Sequence, residues 1–113
     1  MTVDEDRQAG PAADFANLDR LLEHRVRLAV CVLLGRIDRL SFRRLRELLG
    51  ETDGNLGANL RRLEDAGYLT VDKEFVDRKP VSWYSLTPQG RRALGIHVAA
   101  LSALIDHVPE RSP

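Results

Sequence analysis

One cysteine in 113 residues excludes an internal disulfide framework and any zinc finger built on cysteine. Long apolar runs are missing too. The longest, Leu28 to Leu34, has seven residues, against the ~20 that a membrane helix needs. The start, Met1-Thr2-Val3-Asp4-Glu5-Asp6, is acidic where a secretory signal is basic, so the reading is a soluble, cytoplasmic protein with no membrane partner. No Gly-x-x-x-x-Gly-Lys-Ser/Thr phosphate loop, Gly-x-Ser-x-Gly elbow or His-Glu-x-x-His zinc helix occurs. That argues against an enzyme and gives no reason to expect a cofactor. Net charge is absent as well, because 17 basic and 17 acidic side chains cancel.

What is present is an uneven distribution of that charge. Residues 1–19 hold Asp4, Glu5, Asp6, Asp14 and Asp19 against Arg7, a net −4. Residues 20–92 carry +5 and the remaining tail −1. A basic middle between acidic ends suits a local polyanion site. With 43% hydrophobic and 30% charged residues, the chain reads as one globular domain over residues 14–108. A disordered acidic arm is expected over 1–13 and a flexible tail over 109–113.

Periodicity supplies the elements. Asp14 is expected to cap a helix carrying Phe15, Leu18, Leu21 and Leu22 on one face. A second helix, His24 to Arg36, is apolar on every side at Leu28–Leu34, which places it centrally. Ser41 caps a third, with Phe42, Leu45, Leu48 and Leu49 inward, and Gly50 ends it. Thr52 caps a fourth over 52–66 whose stripe is Leu56, Leu60 and Leu63, closed by Gly67. Two helices joined by a short glycine-bearing turn make a helix-turn-helix. Tyr68–Val76 and Val81–Leu86 then read as strands of a hairpin, with Asp77-Arg78-Lys79-Pro80 as a basic turn whose proline ends the pairing. Thr87 caps a last helix with Pro88 at its first position.

This order, with Ser41-Phe42-Arg43-Arg44-Leu45, Thr52-Asp53-Gly54-Asn55-Leu56, Leu60-Arg61-Arg62-Leu63-Glu64-Asp65-Ala66-Gly67-Tyr68, Phe75-Val76-Asp77-Arg78-Lys79-Pro80 and Tyr84-Ser85-Leu86-Thr87-Pro88-Gln89-Gly90, resembles the small MarR/ArsR-like winged-helix transcriptional regulators of bacteria. The resemblance covers about Leu18 to Leu104. It implies a mainly α fold with a small β-hairpin, a winged helix-turn-helix with an added C-terminal dimerisation helix. It further implies a homodimer, a repressor by this reading, that binds double-stranded operator DNA at an inverted repeat. Helix 52–66 would lie in the major groove and the wing, 76–81, on the backbone or minor groove.

The residues allow this independently. With the leucine stripe inward, Gly54, Asn55, Ala58, Arg61 and Arg62 turn outward beside the cap Thr52, while Arg78 and Lys79 sit at the wing tip. Asn reads adenine bidentately, Arg reads guanine or holds phosphate, and a helix start favours an anion. The blander reading pairs Arg61 and Arg62 with Asp65 on a solvated face. In the last helix Leu94, Leu101 and Val108 repeat every seven residues with Val98 and Ile105 alongside. His97 and Leu104 are expected to widen that surface toward a second copy.

The rival to DNA binding is a winged-helix module that contacts only protein, with Trp83 as an anchor if it faces outward. A small-molecule effector between the dimer helices and the winged domain has no residue set that identifies it. His97, His107 and Glu110 resemble the metal sites of ArsR relatives only incompletely, because Gly95 stands where those have Asp, so no metal is expected. Cys31 reads as a small core hydrophobe, and His24 as a capping or solvated side chain. Gly54-Asn55-Leu56-Gly57 matches the Gly-x-x-Gly loop of RNA-binding KH domains, but the order of elements does not fit that module.

Overall fold

The computed structural model describes residues 10–108. Helix α1 (Gly10–Ala16) is followed by a 3-10 turn (Arg20–Glu23), α2 (Arg25–Arg36), β1 (Leu40–Ser41), α3 (Phe42–Leu49), α4 (Asp53–Asp65), β2 (Leu69–Val76), β3 (Lys79–Leu86) and α5 (Pro88–Asp106). The expected arm thus gives way to helix already at Gly10, and residues 1–9 and 109–113 lie outside the described residues.

The helix expected from Asp14 to Leu22 is in fact two elements. Asp19 is the cause. Its carboxylate accepts the N–H of Leu21 at 2.9 Å and so caps a new turn, a bond that competes with continued helix. Phe15 is left 68% exposed, whereas Leu22 is fully buried.

Three other helix starts follow the sequence directly. The hydroxyls of Ser41, Thr52 and Thr87 accept the N–H of Arg44, Asn55 and Gly90 at 3.0, 3.2 and 2.9 Å. His24 caps α2 through Nδ1, which accepts from the N–H of Val26. Helix α2 is central, touching α3, α4, α5 and β3. Val26, Val30, Cys31 and Leu34 enter the core with Leu45, Leu56, Leu60, Leu63, Leu69 and Tyr84. Leu34 is balanced on the far side of α2 by the exposed Val32, so the helix is not covered all round.

The sheet runs β1-β3-β2, entirely antiparallel. The hairpin turn is tighter than expected: Val76 pairs with Lys79, leaving Asp77 and Arg78 alone in the left-handed region at φ 51° and 68°. That is the two-residue geometry that matches strand twist. Pro80 does not end the pairing but lies inside β3 opposite Phe75. One step from the closing pair, its nitrogen points away from β2, where no hydrogen bond is lost. Since β1 reaches only Tyr84 and Trp83, that nitrogen faces an open edge, and the missing N–H blunts it.

Cys31 is fully buried, and burial followed by the charge of Asp19 pushes its thiol up to about 12. Thiol reagents at neutral pH should leave the native protein unmodified and react only after denaturant is added. Rapid labelling of the folded chain would contradict this placement.

Candidate nucleic-acid interface

Helix α4 presents its expected outward residues to solvent. Thr52, Gly54, Asn55, Ala58, Arg61 and Arg62 are all exposed, opposite the buried Leu56, Leu60 and Leu63. Among the described residues neither Arg61 nor Arg62 forms an ion pair with Asp65. The start of α4 is tied to α3 by Arg46, whose guanidinium donates to Asp53 at 2.7 Å. That bond raises the pKa of Arg46 and offsets the one carboxylate in the first turn of α4. Among the described residues, no atom outside its own stretch of helix lies within 4 Å of the Cβ position of Gly54, so the helix start is open to a ligand.

Arg78 and Lys79 are exposed at the wing tip, as is Asp77 between the strands. Lys73 and Glu74 stand further back on β2. Phe75 is 77% exposed beside Pro80, and Val76 is exposed behind it. Trp83 faces the outer side of the sheet. There its Nε1 donates to Glu74 at 3.0 Å, and Arg39 sits 4.2 Å above its ring. Trp83 with Phe42, Val76 and Val81 lines a groove of about 570 Å³ between the start of α3 and the wing.

Sequence reading missed two polar residues behind this surface. Asn59 is 5% exposed, and its Oδ1 accepts from Arg27 of α2 at 2.7 Å. Arg27 also donates through Nε to the carbonyl of Leu21 at 2.7 Å. Burial, then the nearby Arg62, lowers the pKa of Arg27. The signal for Asn59 was its spacing, three after Leu56 and four before Leu63, which puts it on the inward face.

The residues expected at a dimer surface divide. Val98, Leu101 and Ile105 of α5, and Val108 just beyond its end, are 41–68% exposed. Leu94 instead packs on the core beside Gly35, and Leu104 is half-buried. His97 is a clear correction, being 3% exposed with its Nδ1 accepting the N–H of Asp19 at 2.9 Å. Asp19 also accepts from the hydroxyl of Tyr68, so one carboxylate residue joins the N-terminal segment, the end of the helix-turn-helix and α5. Burial, then that hydrogen bond, pushes Tyr68 up to about 12. His107 pairs separately with Asp14 at 2.9 Å. Among the described residues no three His, Cys, Asp or Glu side chains gather as for a metal, and no helix is long and apolar enough to cross a membrane.

The family described as winged helix DNA-binding domain matches residues 26–105, from the second residue of α2 nearly to the end of α5. The chain belongs to this family. A transcriptional regulator homologue from Pyrococcus horikoshii shares this winged helix at a TM-score of 0.73, with 28% identity over 78% of this chain and 87% of that one. An uncharacterised protein of Methanocaldococcus jannaschii is 28% identical over 83 residues, 74% of this chain and 90% of its own. PadR of Bacillus subtilis, solved in complex with operator DNA, shares the winged-helix fold at a TM-score of 0.58 and 23% identity, over 80% of this chain and 54% of that one. In this winged-helix chain α3 and α4 form the helix-turn-helix, β2 and β3 the wing, and α5 the added C-terminal helix.

Proposed function

We propose that the protein is a sequence-specific DNA-binding transcriptional regulator acting as a homodimer. The observation that carries this is the exposed row Thr52, Gly54, Asn55, Ala58, Arg61 and Arg62 at and beyond the start of α4, in a winged helix DNA-binding domain. In this reading α4 enters the major groove, its N-terminal residues meet base edges, and Arg78 and Lys79 of the wing hold phosphate. The exposed stripe of α5 joins two copies, so that two recognition helices address an inverted repeat.

Selection of a preferred duplex from random DNA tests the reading. Arg78→Ala should then weaken selected and random duplexes alike. It should also flatten the log–log salt dependence by about 0.9 per lost phosphate contact, roughly 1.8 for a dimer. Absence of any selected sequence would count against sequence-specific binding. It would favour a second reading that rests on Phe75 and Val76: an apolar wing exposed on a winged-helix domain that contacts protein.

A further inference from the structure

We infer that Glu51, Asn59 and Arg27 are positioning residues that fix the side-chain amide of Asn55 in one orientation, presetting it to read adenine. The inference rests on the DNA-binding reading above and names the base that this site selects. Asn55 is the third residue of α4 and fully on its exposed side. Its Nδ2 donates to Oε1 of Glu51 at 2.5 Å. Its Oδ1 lies 3.4 Å from Nδ2 of Asn59, which also donates to the Asn55 carbonyl at 2.8 Å. Asn59 is held in turn by Arg27, which donates to its Oδ1.

Charge and donor type make this chain directional. Arg27 has only donors, so Asn59 must turn its oxygen to Arg27 and its amide nitrogen toward Asn55. An ionised Glu51 has only acceptors, so it takes the nitrogen end of Asn55. A flipped Asn55 would set oxygen against the Glu51 carboxylate and nitrogen against the Asn59 nitrogen. Both contacts would be lost at once.

An amide carries two N–H donors and two acceptor lone pairs. Within the protein Asn55 uses one N–H on Glu51 and turns one lone pair toward Asn59. One donor and one acceptor remain, the pair that adenine N7 and N6–H₂ require in the major groove. A reader held this way loses little side-chain freedom on binding, so more of the contact energy appears as discrimination. Glu51 serves this purpose at a cost in overall affinity, because its charge faces a polyanion.

The test uses the duplex selected by the wild-type protein, with each base pair then varied in turn at two salt concentrations. Asn55→Ala should lose a preference of roughly 5- to 150-fold at one A·T pair per half-site. Glu51→Gln, whose amide accepts either end of Asn55, should lose several-fold of the preference at that same pair. Its binding to all duplexes should tighten, since a negative charge is removed. Arg27→Met should lose preference at the same pair, with its melting temperature measured alongside to separate loss of fold. If Glu51→Gln and Arg27→Met both keep the wild-type preference there, or weaken all pairs evenly, the positioning role is overturned while DNA reading stands. If the wild type selects no sequence, the regulator reading itself is overturned.

Discussion

Gly90→Ala should lower the stability of the protein by roughly 3 kcal/mol, at the upper end of what overpacking costs. A Cβ at position 90 would stand 2.3 Å from the carbonyl oxygen of Tyr68 and 2.9 Å from Leu86 Cδ1. The first obstacle is backbone and cannot move easily. The Tyr68 carbonyl already accepts the N–H of Thr87 at 2.9 Å, and the Thr87 hydroxyl bonds the carbonyl of Gly67 at 2.6 Å. The first turn of α5 is therefore pressed against the exit of the helix-turn-helix, and only a residue without a side chain fits between them. For a domain of this size a loss of that magnitude should bring the melting temperature down by about 12–24 °C. Calorimetry that found Gly90→Ala within a few degrees of the wild type would show that α5 sits farther from Tyr68 than described.

Leu101→Asp should convert a dimer into monomers and weaken operator binding by roughly 10²–10⁴-fold, the advantage that linking two half-site contacts confers. Leu101 lies within the exposed stripe of Val98, Leu101 and Ile105, continued by Val108 just past the end of a helix of 19 residues, about 28 Å long. An aspartate there stays solvated in the monomer but is desolvated without a partner in a closed interface. The variant should still unfold cooperatively, at a melting temperature that no longer rises with protein concentration once the dimer is lost. Sedimentation at micromolar concentration, with titration of a duplex whose half-site centres lie about 34–36 Å apart, reads both effects. A wild-type protein that sediments as a monomer would sink the dimer.

How far the sequence led depends on the kind of signal. Ser41, Thr52 and Thr87 are short acceptors in front of helical periodicity, and each caps a helix, because the capping bond is local and needs no neighbour. The wing strands were legible from alternation, but its turn was not. A proline usually marks a break, yet Pro80 fits a strand wherever its nitrogen faces away from the partner, and register decides that. His97 misled for a related reason. It lies beside the leucine spacing of α5, and whether it faces a second copy or Asp19 depends on a contact 78 residues away. Asn59 shared the spacing of the leucine stripe, but its partner Arg27 is 32 residues off, so its purpose was not legible. For the candidate interface, residue type and outward phase were enough to place the row on α4 in solvent. The hydrogen bonds that orient Asn55 needed the fold.

The proline in β3 has a consequence for copies that crowd together. Regulators gathered on neighbouring sites of one DNA molecule meet at local concentrations far above those in free solution. Beyond Trp83 and Tyr84, the outer edge of β3 carries no strand of its own chain. A continuous open edge would let one hairpin zip onto the next and turn reversible occupancy into a growing fibre. At Pro80 the ladder has a missing rung. A neighbouring strand that paired there would lack one hydrogen bond, which weakens the pairing of one wing with another.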